Sequence, residues 1–200
     1  MLTFPKIIFD AIAAHYMMFL IIIAIAWVIH FINISLNHRL SRFGIIPRKA
    51  KGLIGIIFCP FLHGDANHLI INSFMFFMLG LLLAVNGLFI FTLMSILIVI
   101  LSGLLTWGLG RNAIHIGASS VIMGYWGYLL VQIFMRPSQV NIAIGAVCLI
   151  QFGQLVFSLL PGEKKVSWEG HLCGFLSGVF LSYYYDVILT MYFDIQNLFH

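Results

Sequence analysis

Apolar runs of about the length needed to cross a lipid bilayer follow one another along almost the whole chain, at 16–34, 68–85, 88–105, 117–135, 140–160 and 168–185. A crossing helix needs about 20 mostly apolar residues. The separators read as turns: Asn86-Gly87, Arg136-Pro137-Ser138 and Pro161-Gly162-Glu163-Lys164-Lys165. The pattern predicts an all-α, polytopic membrane protein with six transmembrane helices. One connection breaks the rhythm. Between the first two runs lies "GLIGIIFCPFL" at 52–62, too short to cross and too apolar for water. A membrane-embedded hairpin between helices 1 and 2 is expected there, its backbone polar groups covered by protein. The flanks, 1–15 and 187–200, are expected at the interface, and 1–200 is expected to form a single membrane domain.

Composition narrows the function classes. With 62% hydrophobic and only 8% charged residues, the chain is no ordinary soluble domain, which carries about 25% charged residues. The net charge of +4 raises the question of nucleic acid. The basic residues, however, sit in loops between apolar runs, where headgroup contact and topology account for them, so no nucleic-acid partner is expected. Cys59, Cys148 and Cys173 lie in apolar stretches without ligand spacing and read as small buried hydrophobes. No internal repeat is visible, which argues against an inverted-repeat transporter.

The polar exceptions inside the runs carry the chemistry. In a six-helix bundle the connections 1–2, 3–4 and 5–6 share one membrane face. His68 and Asn72 open the second run, Ser119 and Ser120 the fourth, and His171 the sixth. All fall within about two turns of a helix start, in one shallow layer. Alone, each has a bland reading: a serine bonded to its own backbone, a histidine at the interface, an asparagine joining two helices. Together in one layer they form a candidate site, because polar groups inside spans are costly. His68 and Asn72, four apart, share a helical face. Gly174 and Gly178 follow His171 as a small-residue stripe that lets two helices approach closely. Close approach of runs four and six is what a Ser–His contact requires. His63 and His115 share the layer and receive no direct role.

These residues resemble the rhomboid intramembrane serine proteases. The resemblance covers roughly 39–185 and rests on "FGIIPR" (43–48), "GLIGIIFCPFLHGDANHLIIN" (52–72), "HIGASS" (115–120) and "SWEGHLCGFLSG" (167–178). It implies six helices around a water-filled cavity, Ser119 as nucleophile, His171 as general base, and Asn72 and His68 as oxyanion-binding side chains. It also implies that run five and the following loop form a mobile gate and cap, and that the hairpin is embedded in the membrane. No metal or other cofactor is implied. The six acidic residues favour a dyad over a triad, since Glu169 lies about 200° around the helix from His171 and cannot easily orient it. Two departures stand out. Ser120 replaces the glycine that many relatives carry after the nucleophile, and its hydroxyl is expected to crowd the sixth helix. Met123 stands where relatives often carry an aromatic ring that stacks on the histidine.

Topology brings a conflict. Arg39, Arg42, Arg48, Lys49, Lys51, Arg111, Lys164 and Lys165 lie on the face of the candidate site, and only Lys6 and Arg136 on the other. The positive-inside rule would turn that face to the cytoplasm, whereas the resemblance implies the opposite. Five of the eight belong to the hairpin connection, so the resemblance is followed. The expectation is a multi-pass protein of a bacterial inner (plasma) membrane whose site opens to the periplasmic or extracellular face. Its partners would be single-pass transmembrane substrates and membrane lipid. The alternatives are a rhomboid-like protein that binds transmembrane helices with little or no cleavage, a histidine metalloprotein, and a small transporter. The metalloprotein lacks a His-Glu-x-x-His motif.

Overall fold

One helix of the bundle is enclosed by the others, and that asymmetry organises the rest. The structure is a computed structural model that describes residues 4–161 and 167–198. In chain order the helices are α1 (Phe4–Ser35), the short α2 (Gly55–Phe58), α3 (Ala66–Ala84), α4 (Leu88–Leu109), α5 (Ser119–Met135), α6 (Gln139–Phe152), α7 (Trp168–Tyr183) and α8 (Tyr185–Leu198). A 3-10 segment, Gly153–Leu159, prolongs α6. The enclosed helix is α5, in which every residue from 121 to 129 is buried.

Helices occupy all six expected runs. Four stretches are long and apolar enough to cross a bilayer: Phe9–Ser35, Ala66–Ala84, Leu88–Leu109 and Gln139–Leu159. A fifth is reached only if α7 and α8 are counted together across their 70° bend. At 17 residues α5 falls short. The all-α polytopic architecture is as expected, while six crossing helices are not reached by length and composition among the described residues. The physical reason lies in α5. Seventeen residues make a helix of about 25 Å, shorter than a hydrocarbon layer of about 30 Å. The N-terminal stretch expected at the interface is largely the start of α1, which begins at Phe4. Of the turn expected at 161–165, only Pro161 is described.

α5 and α7 pack backbone against backbone. A Cβ placed on Gly174 would overlap the carbonyl of Ser120, and one on Gly178 the carbonyl of Gly124. On the α5 side, a Cβ on Gly127 would come within 2.5 Å of the Phe175 carbonyl oxygen. Small residues allow this approach, which brings dispersion contacts that larger side chains would forbid. At Gly174, α7 meets the backbone of Ser120.

The connection between α1 and α3 is compact and pinned. Ile45 and His115 exchange two backbone hydrogen bonds of 2.9 Å, which ties the connection to the segment leading into α5. Arg48 donates to the carbonyls of Gly108 (3.1 Å) and Gly110 (2.8 Å) and to Asn112 Oδ1 (2.7 Å). Trp107 Nε1 donates to the Lys49 carbonyl at 2.9 Å. Hydrogen bonds from a charged donor contribute about 1.5–3 kcal/mol. Arg48→Ala is therefore expected to lower the thermal midpoint of the detergent-purified protein, whereas Lys51→Ala, at an exposed position, leaves it unchanged. Equal midpoints for the two variants would remove Arg48 from the account of how the connection is held.

Candidate active site

Ser119, His171, His68 and Asn72 come from three helices and line one cavity of about 750 Å³. Ser119 is the first residue of α5. The N–H groups of a first helical turn have no intrahelical partners, and here Ala118 at the cap position provides no side-chain acceptor. Ser119 and the donors of the first turn thus meet at the N-terminal end of a short helix. Ser120 is not part of the cavity lining.

His171 is oriented without an acid. Its Nδ1 lies 3.1 Å from the carbonyl oxygen of Ser158. A carbonyl can only accept, so the proton sits on Nδ1 and the lone pair on Nε2. Ser119 and His171 face the same cavity but share no hydrogen bond. Catalytic hydrogen bonds are often long before substrate binds and tighten in the complex. The nearby carboxylates are otherwise engaged. Glu169 is buried (8% exposed) and lies 3.7 Å from Arg111 Nε. Asp65 caps α3, accepting from the His68 backbone N–H at 2.9 Å. That donation holds its carboxyl below the usual carboxylate range.

Asn72 is aimed by a residue the sequence reading left without a role. Its Nδ2 lies 2.9 Å from His63 Nε2, and His63 is only 1% exposed. Burial first, then the neighbouring His68, push the His63 ring down to about 4. The ring is therefore neutral at neutral pH, with a lone pair to accept one amide hydrogen of Asn72 and leave the other free. Gly117 makes the close approach possible. Its φ of +118° suits glycine, and a Cβ there would stand 2.7 Å from His68 Cε1 and 3.5 Å from Asn72 Nδ2.

A second Ser–His contact lies in the same cavity wall. His115 Nε2 donates to the Arg111 carbonyl at 3.1 Å, which leaves Nδ1 to accept from the Ser167 hydroxyl at 2.6 Å. Ser167 Oγ also accepts the Gly170 N–H at 3.2 Å, capping α7. With the hydroxyl both donating and accepting, this pair ties the segment before α5 to the start of α7. Met123 is buried beneath the site, its sulfur 3.9 Å from the Ser158 hydroxyl. Among the described residues, no three His, Cys, Asp or Glu side chains converge as metal ligands.

The missed contributors share a reason. Ser158 acts through its backbone carbonyl, so its side-chain type carries no signal. His63 and His115 lie in connections, where no helical period relates them to the site. The only available sign was their position in the same layer.

Comparison with known proteins bears on the family. The rhomboid domain family matches residues 50–186. An uncharacterized protein of Mycobacterium tuberculosis is 36% identical, over 80% of this chain and 71% of its own length. One of Mycobacterium leprae is 34% identical over 80% of this chain and 67% of its own. A protein of Acanthamoeba polyphaga mimivirus that bears a rhomboid name is 31% identical, over 63% of this chain and 71% of its own length. The matched segment contains all four residues around the cavity, and the chain belongs to the rhomboid family of membrane proteins.

Proposed function

We propose that the chain is an intramembrane serine endopeptidase that cleaves transmembrane segments of single-pass proteins near the outer face of the membrane, using a Ser119–His171 dyad. The observation that carries this reading is that Ser119 lines one cavity with a histidine whose Nδ1 proton is committed to the Ser158 carbonyl. The free Nε2 takes the proton of Ser119 as Oγ attacks the scissile carbonyl. The carbonyl oxygen becomes an oxyanion, received by the Ser119 backbone N–H, the free amide hydrogen of Asn72, and His68. His171 then returns the proton to the leaving amine, and water releases the acyl group by the same route in reverse. The Ser158 carbonyl replaces the carboxylate of a triad as the group that orients the base.

The outward orientation has structural support. Arg48 spends its guanidinium on carbonyls of the chain itself, and Arg111 faces Glu169. Two of the eight positive charges on that face thus have partners within the chain, which weakens the positive-inside count against the proposal.

The test is incubation of the detergent-purified protein with a generic single-pass substrate, followed by mass spectrometry of the products. One cut near the outer end of the substrate helix, unaffected by chelators, is expected. Loss of cleavage with chelator and recovery with zinc would sink the serine mechanism. Substrate retained on the protein without products would establish the helix-binding alternative.

Two substitutions probe the supporting groups. Asn72→Ala is expected to lower turnover toward the smaller end of the roughly 10²–10³-fold loss typical of one oxyanion donor, because the backbone N–H and His68 remain. Full turnover in this variant removes Asn72 from the oxyanion site. Met123→Ala leaves Ser158 without its sulfur contact and opens space under the base. Turnover is expected to fall several-fold with the substrate KM unchanged; a rise in KM alone would assign Met123 to substrate binding.

A further inference from the structure

A second cavity, of about 640 Å³, shares Asn72 with the first but includes neither Ser119 nor His171. It is a fissure between α1 and α4, backed by α3 and α5, with Ile57 and Pro60 of the hairpin connection in its wall. Its hydroxyls are already satisfied. Ser73 donates to the Leu69 carbonyl (2.7 Å) and Thr92 to that of Leu88 (2.9 Å). Ser95 lies 2.6 Å from the Phe91 carbonyl and 2.8 Å from the Tyr125 hydroxyl. These groups offer nothing to a polar guest, and the rest of the wall is almost wholly apolar.

The rim says what comes in. Ile57, Ile96 and Ile100 are 65%, 53% and 45% exposed, so the opening is continuous with the surface turned to lipid. Ile96 lies eight residues into α4, about 12 Å from its start, near the middle of a layer about 30 Å thick. At that depth the surroundings are hydrocarbon tails. A substrate helix is a poor occupant, since its peptide bonds would have no access to Ser119 from here.

The geometry points to an acyl-chain site: the fissure between α1 and α4 takes up the hydrocarbon tail of a membrane phospholipid. An apolar space of this size left empty forfeits the dispersion contacts that close packing supplies. A tail drawn from the bilayer restores them along a wall that is almost wholly apolar. Seated there, it packs behind His63 and Asn72, both of which form part of the wall. The site is independent of whether the protein cleaves anything.

The experiment uses full-length protein in phosphatidylcholine vesicles containing a phospholipid with a mid-chain diazirine, and maps the photoadducts by mass spectrometry. Passing lipid contact alone would label the exposed Ile21 (57%) more than the half-buried Ile23 and Val99. A resident tail reverses that order, with several-fold more label at Ile23 and Val99. Val99→Trp and Ala26→Phe, which fill the fissure from opposite sides, are each expected to abolish the excess, and Ile21→Trp to leave it unchanged. Wild-type label that simply follows exposure overturns the proposal without any variant. So does an excess that survives both filling substitutions in folded protein.

Discussion

Ser119→Ala is expected to abolish cleavage, with a loss on the order of 10⁶-fold, and to abolish labelling by a fluorophosphonate probe. The loss should come without a loss of fold. Ser119 is partly exposed at the first position of α5, and substitutions away from buried networks usually change stability by about 0.5 kcal/mol or less. An unchanged thermal midpoint beside lost activity is the signature of a removed nucleophile. Ser120→Ala is the matched control, one residue along the same helix but not part of the cavity lining, and is expected to keep both cleavage and labelling. If Ser120→Ala loses labelling and Ser119→Ala keeps it, the nucleophile is Ser120. If both variants cleave, the proposed chemistry is wrong.

The parts of this fold legible in the sequence are those that depend on side-chain type at a fixed helical period. The apolar runs gave helices at every expected place, because apolar length alone determines where a helix is stable in lipid. Asn72 one turn after His68, and Gly174 and Gly178 following His171, are likewise periodic features, and the structure sets them on the faces their spacing implies. What stayed hidden depends on backbone groups and connections. The Ser158 carbonyl would orient His171 equally well with another residue at 158. The bond between His63 and Asn72 follows from the path of a non-helical segment. The length of α5 misled for a different reason: a helix shielded by its neighbours does not need to span the layer, so its apolar run overstates its reach. The contact of α7 with the Ser120 backbone is likewise independent of the side chain at that position.

That backbone contact makes Gly174→Val the most damaging substitution expected outside the reacting groups. Any Cβ at this position overlaps the carbonyl of Ser120, and a backbone held in a helix cannot rotate aside as a side chain would. The added branch forces α7 away from α5 at a point one residue from Ser119 and one turn from His171. Overpacking typically costs about 1–3 kcal/mol, and with no flexible neighbour to give way the upper end is expected. The catalytic loss should be larger in proportion. Displacing a reacting group by about 1 Å can cost roughly 10²-fold, and here the nucleophile and the base lie on the two helices being separated. Gly108→Ala serves as the control, since a Cβ on Gly108 meets nothing within 4 Å, and alanine is the better helix former by about 1 kcal/mol. Turnover and thermal midpoint measured together decide the matter. Gly174→Val is expected to lose both and Gly108→Ala neither. A folded Gly174→Val protein with wild-type turnover would mean that the dyad does not depend on the close packing of α5 and α7.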